Sequence, residues 1–250
     1  MREAEKRRIA GCAFDLGNTL INDTRLTTES VTDMSRWLFN QSLISSQDDF
    51  IKTYMKVNRE TDKPFISHTF GEIEFFEKTL QQLSINKVSA NEALRIYREI
   101  LMEKIHPDQN VLETFEFLKQ KGIRIALLSN ESVLRVEAYL DKTDLRHYFD
   151  TIIVSAGIGI EKPDLRFFQE ALNRLTISSE EMVMFGDNAI ADGVCKKLGI
   201  FFVLVTGYRN QNWVWEQGES FQPDYVMEKV TRKDMEMFLK LECWSNGVME

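Results

Sequence analysis

IAGCAFDLGNTL, residues 9–20, is a strand-length apolar run that ends abruptly in a carboxylate followed by a glycine. Residues 9–14 are apolar without alternation, the pattern of a strand buried on both faces, as in a parallel sheet. Working outward, comparable runs recur at 123–128, 151–155, 182–185 and 201–205, with a shorter one at 223–226. Between them lie amphipathic helical patterns. Val111, Phe115 and Leu118 mark one, closed by KQKG at 119–122, where the glycine suits a helix C-terminus. Leu165, Phe168, Leu172 and Leu175 mark another, and residues 231–240 form a closing helix. Strands alternating with helices predict an α/β fold with a doubly wound parallel sheet.

The interval between the first two strands breaks this rhythm. Residues 24–104 carry helical periods and no convincing strand: Val31, Met34, Leu38; Phe50, Tyr54, Val57; Phe75, Phe76, Leu80; Leu94, Tyr97, Leu101. A crossover helix needs only about a dozen residues, so this insert is expected to be a separate helical domain. The predicted division is a core of residues 1–21 and 106–250 and an insert of 22–105, hinged near 21–25 and 104–108. The aromatic stripes of the insert are read as core packing, and Trp37, Phe65 and Phe70 stay open as pocket-lining residues.

The chain has 250 residues, room for one large domain or for a core carrying a smaller insert. Hydrophobic residues at 43% and charged residues at 28% are ordinary for a globular protein and argue against disorder. A net charge of -8 lacks the footprint for non-specific nucleic-acid binding, and anionic lipid surfaces would repel it. No apolar run approaches the roughly 20 residues that span a bilayer. The charged start MREAEKRR is not followed by the long apolar segment of a signal peptide. Cys12, Cys195 and Cys243 form no CxxC pair and read as reduced thiols. His68, His106 and His147 show no ligand spacing. These features together predict a cytoplasmic protein without nucleic-acid or membrane partners. Trp213, Trp215 and Trp244 carry no reading.

In an open parallel sheet, ligands bind outside the carboxyl ends of the strands. The first strand ends in Asp15-Leu16-Gly17, the second in Ser129-Asn130, and the fourth in Gly186-Asp187-Asn188, with Asp192 close behind. Lys162 follows the third strand, in GIEKPD. That set suits phosphoryl transfer. A carboxylate such as Asp15 can attack phosphorus and form an aspartyl phosphate. Two anions meet only with a counter-charge between them, which a Mg2+ ion on oxygen ligands supplies. Asp15 and Asp187 are the natural pair to hold it. Lys162 would neutralise the phosphoryl oxygens as they gain charge, with Ser129 and backbone N–H groups completing the cradle. Singly, each residue has an ordinary structural reading. Asp15 could cap a helix, Ser129-Asn130 could cap the helix starting near 131, Asp187-Asn188 could form a turn, and Lys162 could be a solvated loop cation.

The four motifs, in this order, resemble those of the haloacid dehalogenase-like hydrolase superfamily: FDLGNTL, LLSN, GIEKPD and GDNAIAD. The helical insert resembles the α-helical cap that some members carry between the first two motifs, and the likeness extends over essentially the whole chain. It implies a Rossmann-like core and Asp15 as nucleophile. It implies magnesium held by the Asp15 side chain, the Gly17 carbonyl and Asp187, with Asp192 supporting. Ser129, Asn130 and Lys162 are implied at the phosphate. The expected activity is magnesium-dependent hydrolysis of a small phosphorylated metabolite.

Gly17 departs from the pattern. Phosphatases of this family usually carry a second aspartate there, which protonates the leaving group and then activates water. Asn18 and Thr19 do not replace it, and His68 of the insert is the nearest alternative donor in the sequence reading. The expectation is therefore a steep preference for leaving groups that depart unassisted. Two other functions stay open. One is a non-catalytic binding or regulatory protein, favoured by Gly17. The other is a 2-haloacid dehalogenase, disfavoured because Asp187 and Asp192 are retained where that branch lacks an acidic metal ligand.

Overall fold

A computed structural model of the chain describes residues 8–61, 72–208 and 219–241. Strand β1 (Gly11–Phe14) opens the fold. Four helices follow: α1 (Asp23–Asn40), α2 (Gln47–Thr61), α3 (Glu72–Gln82) and α4 (Ala90–Lys104). Then come α5 (Gln109–Gln120), β2 (Arg124–Ser129), α6 (Val133–Thr143) and β3 (Thr151–Val154). The chain continues with α7 (Ser155–Ile158), α8 (Leu165–Leu175), β4 (Met182–Gly186), β5 (Phe201–Val205), β6 (Tyr225–Met227) and α9 (Arg232–Lys240), with short 3-10 turns at 146–148, 179–181 and 193–198.

All strand pairs are parallel, in the order β3-β2-β1-β4-β5-β6. This is the doubly wound arrangement expected from the unalternating apolar runs. Every residue of β1 and β4 is buried, because helices cover both faces. The order reverses at β1, so the crevice between the ends of β1 and β4 is where such sheets bind ligands.

The elements differ from expectation mainly at their ends. The third strand stops at Val154, since Ser155 starts the short helix α7 and its carbonyl accepts from Gly159 N–H. The helix after β2 is capped by Ser132, whose hydroxyl accepts from Arg135 N–H, and not by Ser129-Asn130. The C-terminal end of α5 is as read, with Lys121 as the cap and Gly122 at a φ of 72°.

Between β1 and α5 the described residues form no strand of the sheet, only the helices α1–α4, which pack on one another. Val31, Met34, Leu38, Phe50, Tyr54, Phe76, Leu80, Leu94, Tyr97 and Leu101 of the expected stripes lie in its interior. That interior is not closed off. Its apolar residues belong to the same cluster as the sheet face formed by Cys12, Phe14 and Phe185. The other face, with Ala13, Met184 and Phe202, packs separately on α8. Phe65, His68, Phe70, Trp213, Trp215, Cys243 and Trp244 lie outside the described residues; Cys12 and Cys195 are buried free thiols.

Candidate active site

The site begins where β1 stops. Asp15 N–H donates to Phe185 O at 2.9 Å, holding the first residue beyond β1 against β4. The chain then turns sharply. Leu20 and Ile21 N–H both return to Leu16 O, and Gly17 forms a bridge with Ile21. Asn18 sits in the turn at a φ of 54°, a left-handed geometry that Asn tolerates better than most residues. Its side-chain oxygen accepts from both Thr24 N–H and Thr24 Oγ1 at 3.2 Å, tying the turn to the start of α1. Asp15 is thus presented from a rigid corner, 8% exposed.

Lys162, expected in a loop, is buried to 3% exposure and is no solvated cation. Its Nζ donates to Asp15 Oδ1 at 2.7 Å and to Asp192 Oδ1 at 2.6 Å. Asp192 Oδ2 accepts from Asn188 N–H at 3.1 Å, so both of its oxygens are engaged. Carboxylate oxygens of Asp15, Asp187 and Asp192 lie within 4.8 Å of one another. Burial raises the Asp15 carboxyl to about 6, with Lys162 pulling it down and Asp192 pushing it up. Burial alone would lower the Lys162 ammonium, but the two carboxylates outweigh it and hold it above its ordinary value. At neutral pH the arrangement is therefore one buried cation between carboxylates, and a divalent cation nearby would draw Asp15 back toward its ordinary range.

The remaining expected residues take different places. Ser129 is fully buried, and its hydroxyl accepts from Glu131 N–H at 3.1 Å, which leaves its own proton free to be donated. Asn130 was expected at the phosphate. Its amide is instead turned to the main chain of Lys162, with Nδ2 donating to Lys162 O at 2.8 Å and Oδ1 accepting from Lys162 N–H at 2.9 Å. It holds the lysine in place, because an amide matches a peptide's donor and acceptor at once. Asn188 closes the turn after β4, its Oδ1 accepting from Ile190 and Ala191 N–H. Thr19 Oγ1 donates to Asp15 Oδ2 at 3.4 Å.

Two features were not read from the sequence. Gly186 ends β4 directly over Asp192: a β-carbon there would lie 2.2 Å from Asp192 Oδ2. Acidic side chains also crowd Gly17, where a β-carbon would meet Glu131 Oε1 at 3.3 Å and Asp23 Cβ at 3.6 Å. Glu131 directly follows the second motif, which was the signal available, but one residue's position does not tell which way its side chain faces.

The sequence profile of the haloacid dehalogenase-like hydrolases matches residues 9–192, and a second, HAD-hydrolase-like profile matches residues 159–232. A glyceraldehyde 3-phosphate phosphatase of Methanothermobacter thermautotrophicus is 33% identical over 91 residues, 36% of this chain and 40% of that protein. The chain thus aligns to about two fifths of that relative's length. The pyrophosphatase PpaX of Bacillus mycoides is 26% identical over 228 residues, covering 87% of this chain and 92% of the relative. Among solved structures, the magnesium-bound HAD-hydrolase YfnB of Bacillus subtilis superposes with a TM-score of 0.69 at 18% identity, covering 94% of this chain and 100% of that one. At that identity the likeness is one of fold.

Proposed function

The chain belongs to the haloacid dehalogenase-like hydrolase family, and from that premise we propose that it is a magnesium-dependent phosphatase acting on a small phosphorylated metabolite through an aspartyl phosphate on Asp15. The observation that carries this reading is the group formed by the buried Asp15, Lys162 and Asp192 with the half-buried Asp187 at the carboxyl ends of the strands. Lys162 bonds two of these carboxylates, Asp15 and Asp192, and the third, Asp187, lies beside them. Hard carboxylate oxygens this close suit a magnesium ion. Asp15 and Asp187 would hold it, and Asp192, already bonded to Lys162 and Asn188, supports from behind. When bound, the ion offsets the charge of the approaching phosphate.

The protein's own groups do the rest. A carboxylate oxygen of Asp15 attacks phosphorus as the ester oxygen departs, leaving the phosphoryl group on Asp15. Lys162 would neutralise phosphoryl oxygens, and the Ser129 hydroxyl would donate to one of them. Water then attacks the aspartyl phosphate, releasing phosphate and regenerating the carboxylate. The phosphatase names of the relatives agree with this chemistry and suggest where to begin. Glyceraldehyde 3-phosphate and pyrophosphate belong in the first substrate panel, with p-nitrophenyl phosphate as a generic ester.

The test is phosphate release from that panel by wild type and by Asp15→Asn. Release should depend on magnesium, disappear in EDTA and return when the metal is restored. Asp15→Asn should fold and be inactive, since an amide is a far poorer nucleophile. Full activity in EDTA, or in Asp15→Asn, would sink the reading. Metal-free halide release from a 2-haloacid would establish the dehalogenase in its place, and ligand binding without turnover of any panel member would establish a binding protein.

A further inference from the structure

We infer that Arg135 is a positioning residue, which closes a circuit of polar bonds that keeps Asp15 and Lys162 correctly spaced during the reaction; this rests on the phosphatase reading above. In the structure the two groups touch, with Lys162 Nζ 2.7 Å from Asp15 Oδ1. That bond has to yield in turnover. Asp15 attacks phosphorus while Lys162 neutralises phosphoryl oxygens, so a phosphoryl group comes between them. Asp192, 2.6 Å from Lys162 Nζ, steadies the head of the lysine. The spacing of the nucleophile's corner from the lysine's main chain then depends on ties further out.

Those ties run in a closed path. The turn after Asp15 is fastened to the start of α1, because the Asn18 side-chain oxygen accepts from Thr24 N–H and Thr24 Oγ1 at 3.2 Å. The first turns of α1 are fastened to α6, because Arg135 Nη2 donates to Asp23 Oδ1 and, at 2.9 Å, to Thr27 Oγ1. Arg135 lies in the first turn of α6, where its own N–H donates to the capping hydroxyl of Ser132 at 3.2 Å. Two residues before that cap, Asn130 grips the main chain of Lys162 by its N–H and its carbonyl. The path leaves the nucleophile, passes through α1 and α6, and returns to the lysine. Arg135 is the member that joins the two helices. Its chemistry suits the task, since a planar guanidinium fork reaches two acceptors in one fixed geometry where an ammonium is a single point. Its side chain is only 11% exposed, so water competes weakly for the same bonds. Ser132 Oγ also donates to Glu72 Oε1 on α3, and Glu72 accepts from Arg98 on α4. This branch leads off into the insert and lies outside the path, which makes Arg98 a suitable comparison.

The experiment compares wild type with Arg135→Met, which keeps the bulk of the side chain and loses both bonds. Amide hydrogen exchange of the metal-free protein comes first. Arg135→Met should speed exchange of the Thr24 and Lys162 N–H groups by at least about tenfold more than it speeds exchange in β5, the sign of a local loss and not of general destabilisation. Arg98→Ala should leave the Lys162 N–H at its wild-type rate. Steady-state turnover of p-nitrophenyl phosphate with magnesium comes second. Arg135→Met should lower kcat by about 10–100-fold, the scale of a misplaced reacting group, with KM within about threefold of wild type. Because Arg135 and Asn130 belong to one path, the second break should add little to the first. Arg135→Met/Asn130→Ala should then retain at least about fivefold more kcat than the product of the two single effects predicts. If Arg135→Met does not fold, Asp23→Ala/Thr27→Val removes the two acceptors instead and carries the same tests. Wild-type exchange at the Lys162 N–H, a wild-type kcat, or single effects that simply multiply overturns the assignment. If wild type turns over no ester, the phosphatase reading itself fails, and exchange at the Lys162 N–H alone decides whether Arg135 fixes the pair.

Discussion

A β-carbon on Gly186 would stand 2.2 Å from Asp192 Oδ2, 2.3 Å from its Cγ and 2.7 Å from its Cβ. Contacts that short are impossible, so any larger residue must push Asp192 aside. Asp192 has nowhere cheap to go: it is 1% exposed and bonded to Lys162 Nζ and to Asn188 N–H. Gly186→Ala should therefore cost stability, about 1–3 kcal/mol as for other overpacked interiors, and lower phosphate release at the same time by shifting Lys162 from Asp15. Thermal unfolding and steady-state turnover on one preparation check both; a variant with unchanged melting and full activity would show that Asp192 is not held where it matters. Individual residues were unevenly legible in the sequence. Asp15, Lys162 and Asp187 could be picked out because each follows a strand of one parallel sheet, and such strands end at a common edge. Gly186 and Glu131 could not, and the bond of the Asn130 amide to Lys162 could not, since these depend on side-chain directions and on contacts such as Asn130 to Lys162, 32 residues apart.

Elements carry the site through the loops between them. The segment after β2 does two jobs within three residues: Ser129 braces Glu131, and Asn130 clamps the Lys162 main chain. Asn130→Ala removes that clamp and leaves the Lys162 N–H and carbonyl to find new partners, at a cost of about 1–3 kcal/mol. Because the lysine head is what drifts, kcat should fall by more than KM rises, and Asn130→Asp should not restore it, since an ionised carboxylate has no donor for the Lys162 carbonyl. An Asn130→Ala enzyme with wild-type kcat would place the control of Lys162 elsewhere. Elements as such were readable, because periodicity is a property of ten or more residues and survives local exceptions. Ends were less so. Ser155 looked like the last residue of a strand but opens a helical turn, and Ser132, not Ser129, caps α6. Capping depends on which of several polar residues turns its side chain back, and Ser129, Asn130 and Ser132 stand within four residues.

At the scale of the whole molecule, the question is how the helical insert is held over the core. The apolar stripes of α1–α4 are buried in one cluster with the sheet, and no helix among the described residues is long and apolar enough to cross a membrane. Phe14, Leu16, Leu20, Val31 and Met34 all belong to one apolar cluster. Polar ties reinforce it close to the site. Asn18 holds Thr24, Arg135 on α6 holds Asp23 and Thr27 on α1, and Ser132 donates to Glu72 on α3 at 2.9 Å, with Glu72 also paired to Arg98 on α4. Most of these ties gather around Glu131 and the loop after Asp15, so a ligand there touches the groups that join insert to core. The expected crossings between insert and core lie near 21–25 and 104–108, and His106 and Pro107 in the second are exposed. Closure of the insert over a bound phosphate should exclude water from the aspartyl phosphate and shield both crossings. Limited proteolysis with magnesium and a phosphate analogue such as fluoroberyllate should therefore slow cleavage at 21–25 and 104–108 several-fold relative to the free protein. Arg135→Ala, which unties α6 from α1, should cleave faster at the first crossing and gain less protection from the analogue. Identical cleavage with and without ligand would mean that the insert is a fixed wall, and access to Asp15 would then have to run through a channel that never closes.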